Sequence, residues 1–188
     1  MPNNYFVDPL TFLIELLLGL YVGIVALRLI MQWAHWDHRN PLVQFIIRAT
    51  QVPIRFFRQF IPSFGRWDSA TIVLLITLTV LKIVLLTWLQ SIPMNIVFVI
   101  RLGIADIFSL FVTLFTASII IQVILSWIAP GNSYNPATPL VHQMNAPLLR
   151  PIHRWLPTMG GLDLSPLVVL IGLQLLSKLV LPLLIGHV

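Results

Sequence analysis

Four long apolar runs divide this chain, and between the paired runs polar and apolar positions alternate with a helical period. A bilayer core about 30 Å thick takes about 20 helical residues to cross. The runs Leu10 to Ala34, Ala70 to Ile92, Ile104 to Ala129 and Pro166 to Ile185 are all long enough. Met94 to Gly103 is also apolar, but Pro93, Arg101 and Gly103 interrupt it. It reads as a short surface segment or as an extension of a tilted third span. Asp68-Ser69 precedes the second run, and Ser165-Pro166 offers the fourth an N-cap serine with proline at N1.

The first connecting stretch carries Gln44, Arg48, Gln51, Arg55 and Arg58 at alternating steps of four and three. Leu42, Phe45, Ile46, Ala49, Val52, Phe56, Phe57 and Phe60 fill the other positions. This pattern predicts an amphipathic helix with a basic stripe, bent or interrupted at Pro53, lying along the membrane interface with its aromatics in the acyl boundary. The second stretch repeats the pattern more weakly, with Leu140, Met144, Leu148, Ile152 and Trp155 opposite His142, Asn145 and His153. Pro147, Pro151 and Pro157 are expected to prevent one continuous helix there.

The chain is written twice. Asn40, Pro41, Arg55, Pro62, Gly65 and Asp68 recur 95 positions later as Asn135, Pro136, Arg150, Pro157, Gly160 and Asp163. Trp33 recurs as Trp127 at a spacing of 94. Two copies with so long a period do not form a solenoid, whereas duplicated units commonly build one membrane bundle. The expected fold is all-α: four transmembrane helices in two tandem repeats, residues 1–93 and 94–188, each with an interfacial segment between its two spans. Two spans per repeat restore the chain direction, so the repeats are parallel. In each Pro-x-x-Gly-x-x-Asp element, proline ends the interfacial helix, glycine permits the reversal and aspartate caps the next span. Paired on one face, the two elements also offer a pseudosymmetric docking surface.

Composition agrees with a lipid-facing exterior. Mean hydropathy is +0.94 and 9% of residues are charged, against about 25% in soluble domains. There is no cysteine, which excludes disulfides and thiolate chemistry. The net charge of +5 sits between apolar runs, so it points to anionic lipid headgroups rather than nucleic acid. Met1 to Pro9 has Asp8 and no basic residue, so no cleavable signal peptide is expected. Seven of the eleven Lys and Arg residues lie in the two connecting stretches: Arg39, Arg48, Arg55, Arg58, Arg66, Arg150 and Arg154. The positive-inside bias then puts those stretches in the cytoplasm and both termini in the periplasm.

Candidate chemistry is sparse. Charges within spans are functional hypotheses by default, and here they are Glu15, Arg28, Lys82, Asp106 and Lys178. Depth along each span makes Glu15–Lys82 and Asp106–Lys178 feasible structural pairs within each repeat, and Arg28 can meet Asp68. Exposed Arg55, Arg58, Arg150 and Arg154 suit lipid phosphates or partner carboxylates. His35 and His38 flank Asp37 without further ligands and read as interfacial polar residues. No phosphate loop, catalytic dyad or haem-ligand pair stands out, so neither an enzyme nor a resident cofactor or metal is expected.

One resemblance covers nearly the whole chain. Arg28-x-x-Met31-Gln32-Trp33-Ala34-His35, Asn40-Pro41, Thr50-Gln51 and Pro62-x-x-Gly65-x-x-Asp68-Ser69-Ala70 resemble the first repeat of the YggT (YlmG) family. Leu149-Arg150-Pro151-Ile152-His153-Arg154, Leu156-Pro157, Met159-Gly160-Gly161-Leu162-Asp163 and Ser165-Pro166 resemble the second. Where the family tends to pair two arginines, this chain has Arg58-Gln59 and His153-Arg154. The resemblance implies a small integral protein of the bacterial inner membrane, linked loosely to cell division loci, osmotic tolerance and, in plastids, haem assembly on a cytochrome b. The expected function is a non-catalytic accessory or scaffold for a larger membrane assembly. Its expected partners are anionic lipid and other membrane proteins, and the expectation extends to further copies of the protein itself. Alternatives are a solute or ion conductor under osmotic stress and, by family analogy alone, a haem or cytochrome assembly helper.

Overall fold

The computed structural model describes residues 4–61, 68–128, 135–155 and 163–186, and every structural statement concerns these. They form six helices in chain order: α1 (Asn4–Ala34), α2 (Pro41–Arg58), α3 (Ser69–Leu89), α4 (Ile96–Ile128), α5 (Ala137–Trp155) and α6 (Ser165–Ile185). No strand occurs among the described residues. Helices α1, α3, α4 and α6 are long and apolar enough to cross a bilayer. The protein is therefore a multi-pass membrane protein built from two parallel span–interfacial helix–span repeats. One end of the bundle carries α2 and α5 (the loop face), and the other carries the chain termini (the terminal face).

Pairing follows the repeats. Helix α1 packs on α3 and α4 on α6, while α3 against α4 joins the two halves. Along the middle of the bundle Val22, Val25, Ala26, Leu74 and Leu75 are buried, with Leu78, Leu110, Phe111 and Leu114 packed on them. Nearer the loop face Ile30, Met31, Val43, Ile46, Leu140 and Met144 seat both interfacial helices on the spans.

Three boundaries differ from the sequence expectation. Helix α1 begins before Leu10 and runs through Pro9. Helix α4 begins at Ile96, so Met94 to Gly103 contributes an extension of the third span. The Asn95 Oδ1 accepts the Val97 N–H and starts α4 immediately after Pro93. At its 33 residues α4 is about 50 Å long at 1.5 Å per residue. Arg101 sits on the overhang and its Nε donates to the Leu184 carbonyl at 2.8 Å, capping the end of α6. Gly186 next to that cap has φ +81 and lies so close to the Arg101 guanidinium that a Cβ would collide with it.

The third difference is in α5, which is one continuous helix through Pro147 and Pro151. Both prolines are exposed, so the carbonyls they leave free point away from the packed face. Helix α2 likewise continues through Pro53. There the Ala49 carbonyl, denied its usual donor, accepts the Tyr21 hydroxyl at 3.2 Å. Spans α1 and α3 end without glycine: His35 (φ 55) and Ser91 (φ 54) take the left-handed turn. Trp36 N–H then bonds the Met31 carbonyl and Ile92 N–H bonds that of Thr87, closing each helix.

Candidate functional site

A side-chain latch at equivalent positions fastens the interfacial helix to the first span in each repeat. In the first, Arg28 Nη1 on α1 donates to Thr50 Oγ1 on α2 at 2.7 Å and to the Ile47 carbonyl at 3.3 Å. Arg28 is 5% exposed and Thr50 fully buried. In the second, Asn145 Nδ2 on α5 donates to Gln122 Oε1 on α4 at 2.8 Å. Gln122 follows Arg28 by 94 positions and Asn145 follows Thr50 by 95, so one latch is made twice, once charged and once neutral. Two expectations are corrected here. Arg28 does not pair with Asp68, and Asn145 is buried toward α4 instead of lying on the polar side of α5.

The junction from interfacial helix to second span is also repeated. Arg58 Nη2 and Asp68 Oδ2 are 2.6 Å apart, and 95 positions later His153 Nε2 and Asp163 Oδ2 are 2.8 Å apart. Buried Asp68 also accepts the Thr71 hydroxyl at 2.9 Å, while its backbone N–H donates to Gln32 on α1. Burial works to raise the Asp68 carboxyl pKa. The hydrogen bonds from Arg58 and Thr71, with the charges of Arg58 and Arg28, outweigh it and hold the group below its ordinary value. The same bond raises the Arg58 guanidinium above its own. Asp163 is lowered too: desolvation is overcome by hydrogen bonds from His153 and Ser165. Asp68 makes no side-chain bond to the α3 backbone, so its expected capping role is replaced by the ion pair. Asp163 stands one residue before the N-cap, Leu164, and accepts the Ser165 N–H at 2.9 Å. Ser165, expected as N-cap, is the first helical residue, and its buried hydroxyl has no partner among the described residues.

Asn40 Oδ1 accepts the Leu42 N–H ahead of Pro41, and Asn135 Oδ1 accepts the Ala137 N–H across Pro136. Asn40 Nδ2 also donates to the Pro136 carbonyl at 2.6 Å, tying the two loop-face elements together. Pro62, Gly65, Pro157 and Gly160 lie outside the described residues. Among the described residues Arg48, Arg55, Arg150 and Arg154 are exposed without an ion-pair partner. Arg58, expected to join them in binding lipid or partner, is occupied by Asp68. Helix α2 has three faces. Val43, Ile46, Thr50 and Ile54 are buried, Phe45, Val52, Phe56 and Phe60 are exposed, and Arg48 and Arg55 lie between them.

A second polar centre lies toward the terminal face. Lys82 Nζ on α3 donates to both Asp106 oxygens on α4, at 2.8 and 2.6 Å. The ion pair thus joins the two repeats, whereas sequence depth had suggested Glu15–Lys82 and Asp106–Lys178 within each. Depth along a span carries no information about which helices are neighbours, and here α3 packs directly on α4. A cavity of about 280 Å³ surrounds the pair, lined by Glu15, Ser109, Leu181 and Ile185 among others, so all four spans reach it. Lys178 is exposed on α6. No cluster of metal-ligating side chains occurs among the described residues.

The duplicated latch, junction and Asn-Pro start define a specific repeat, and the comparisons with known proteins match it. The model of the CCB3/YggT family matches residues 7–89 and again residues 102–184, the two halves in register. The chain belongs to the CCB3/YggT family. It is 41% identical to an uncharacterised protein of Pseudomonas aeruginosa over 172 residues, 90% of this chain and 86% of the relative. It is 39% identical to an uncharacterised protein encoded in the proC 3′ region of Vibrio alginolyticus, covering 89% of this chain and 90% of the relative. To the uncharacterised protein YggT of Escherichia coli it is 36% identical over 174 residues, 90% of this chain and 88% of that one. No solved structure matches. Within this YggT chain, the latches and the Arg58–Asp68 and His153–Asp163 junctions escaped sequence reading. The 94–95 register, extended from identical residues to every polar position, contains all of them.

Proposed function

We propose that this YggT-family protein is a non-catalytic scaffold of the bacterial cytoplasmic membrane, with its loop face in the cytoplasm and both termini in the periplasm. The three-sided α2 carries this reading. Its buried face is locked to the bundle by the Arg28 latch, its exposed aromatics suit the acyl boundary, and Arg48 and Arg55 are free to meet phosphates or carboxylates. The seven basic residues of the connecting stretches support the cytoplasmic assignment. Arg150 and Arg154 extend the same charge onto the α5 half, giving partners a basic surface with approximate two-fold repetition.

The charged cavity is what favours the alternative, a conductor of ions or small solutes. It is separated from the loop face by the apolar layer of Val22, Val25, Leu74, Leu75 and Phe111. No charged side chain stands in that layer, which favours the scaffold over a conductor. Proteoliposomes holding the purified protein test it: ion and solute flux should equal that of empty vesicles. Reproducible flux lost on Asp106→Asn replacement would promote the conductor.

A further inference from the structure

Among the described residues, Glu15 and Lys178 are charged side chains well inside the spans that have no partner. Glu15 is two helical turns inside Asp8, where the α1 span begins, and Lys178 is two turns before Ile185, where the α6 span ends. At 1.5 Å per residue both lie about 10 Å from the terminal-face end of their span. Both are exposed, and neither makes a hydrogen bond or ion pair among the described residues. An intramembrane charge meets either water or a partner, and here opposite charges stand at one depth on two open helix edges.

The internal repeat shows how they would meet. Helix α3 packs on α4 and Lys82 bonds Asp106 across that contact. The repeat counterparts of α3 and α4 are α6 and α1, and Lys178 is the counterpart of Lys82. No comparable packing joins α6 to α1 in the chain, and only 6% of the α6 span window is buried. We infer that the α6 edge of one copy docks on the α1 edge of a second copy, with Lys178 paired to Glu15 across the interface, making a two-fold dimer.

The surfaces fit this occupant. Beside Glu15, α1 has a groove of about 300 Å³ lined by Phe12, Leu16, Gly19 and Leu20. Nothing lies within 4 Å of a Cβ built on Gly19 or on Gly23 one turn further, leaving room for a neighbouring helix. On α6, exposed Gln174 stands one turn from Lys178 and adds a second polar group to the edge. Lys178 shares a helix face with Leu181 and Ile185, which line the same cavity as Glu15. Both edges therefore flank one cleft, and a two-fold axis through it forms both Glu15–Lys178 bridges at once.

The chain has no cysteine, which makes cross-linking clean. Two differently tagged chains, one Leu16→Cys and the other Leu175→Cys, are co-expressed and oxidised in native membranes. A cross-linked heterodimer is expected. Glu15→Lys alone or Lys178→Glu alone should reduce it to background, and both changes in both chains should restore it, which also shows that the variants fold. Absence of any inter-chain product would overturn the inference. So would a chain bearing both cysteines that cross-links only internally, which would mean α6 closes on its own α1. Cross-linking indifferent to every charge change would equally refute the bridge.

Discussion

Equivalent places in the two repeats hold groups of different charge, and that asymmetry sets what each residue contributes. Thr50 is the side-chain acceptor for a buried guanidinium, whereas Asn145 bonds a neutral, half-exposed amide. Thr50→Val should cost about 1–3 kcal/mol, because it leaves a buried charged donor short of an acceptor, and Asn145→Leu about 1 kcal/mol or less. Unfolding in mild detergent measures both; equal costs would mean that the charge of Arg28 is compensated elsewhere. The Asp68 carboxyl adds a pH dependence. Its folded pKa is depressed, so its stabilisation is complete above the ordinary aspartate value of about 3.9 and is lost as pH falls through the folded value. Melting temperature should therefore drop as pH passes below about 4, and Asp68→Asn should start lower and show a shallower acid limb. At this scale the sequence was least legible. It displayed the intramembrane charges, but pairing depends on neighbours: Lys82 found Asp106, Asp68 found Arg58 and Arg28 found Thr50.

Elements were legible because apolar run length and helical period are local properties. The four spans and both interfacial helices are where the pattern put them, and the errors are those of context. Proline reads locally as a breaker, yet Pro147 and Pro151 face outward and Pro53 has Tyr21 to satisfy the carbonyl it frees. Packing of α5 on α4 and α6 then outweighs the local penalty. Arg101 and Gly103 look like an interruption in the sequence, but they lie around the end of the second turn of an overhanging α4, where Arg101 caps α6. The contact that unites the repeats is α3 on α4, and a double-mutant cycle on its ion pair tests that assignment. Lys82→Met should destabilise by about 1–3 kcal/mol, discounted from the fully buried case because Asp106 is one-third exposed. Adding Asp106→Leu should recover part of that loss. Lys82→Met with Glu15→Leu should instead be additive, since those two do not bond.

For the whole molecule, duplication explains both the fold and its imbalance. Two copies of one unit give parallel repeats, a doubled latch and a doubled junction, with the first copy more strongly charged at each. The basic loop face, the apolar middle and the unpaired terminal-face charges are then three separate layers along one axis. Sequence reading reached this layering through the repeat and the arginine distribution, but it could not reveal which apolar side chains pack together in the middle layer. The central claim is that the protein acts through its loop face. The direct measurement is quantitative co-purification in mild detergent, comparing the wild-type protein with an Arg55→Gln/Arg150→Gln variant at equal membrane abundance. Exposed interfacial charges contribute little stability, so the variant should fold and insert normally. It should lose the membrane proteins that co-purify with the wild type. Retention of the same proteins at the same yield would contradict the account.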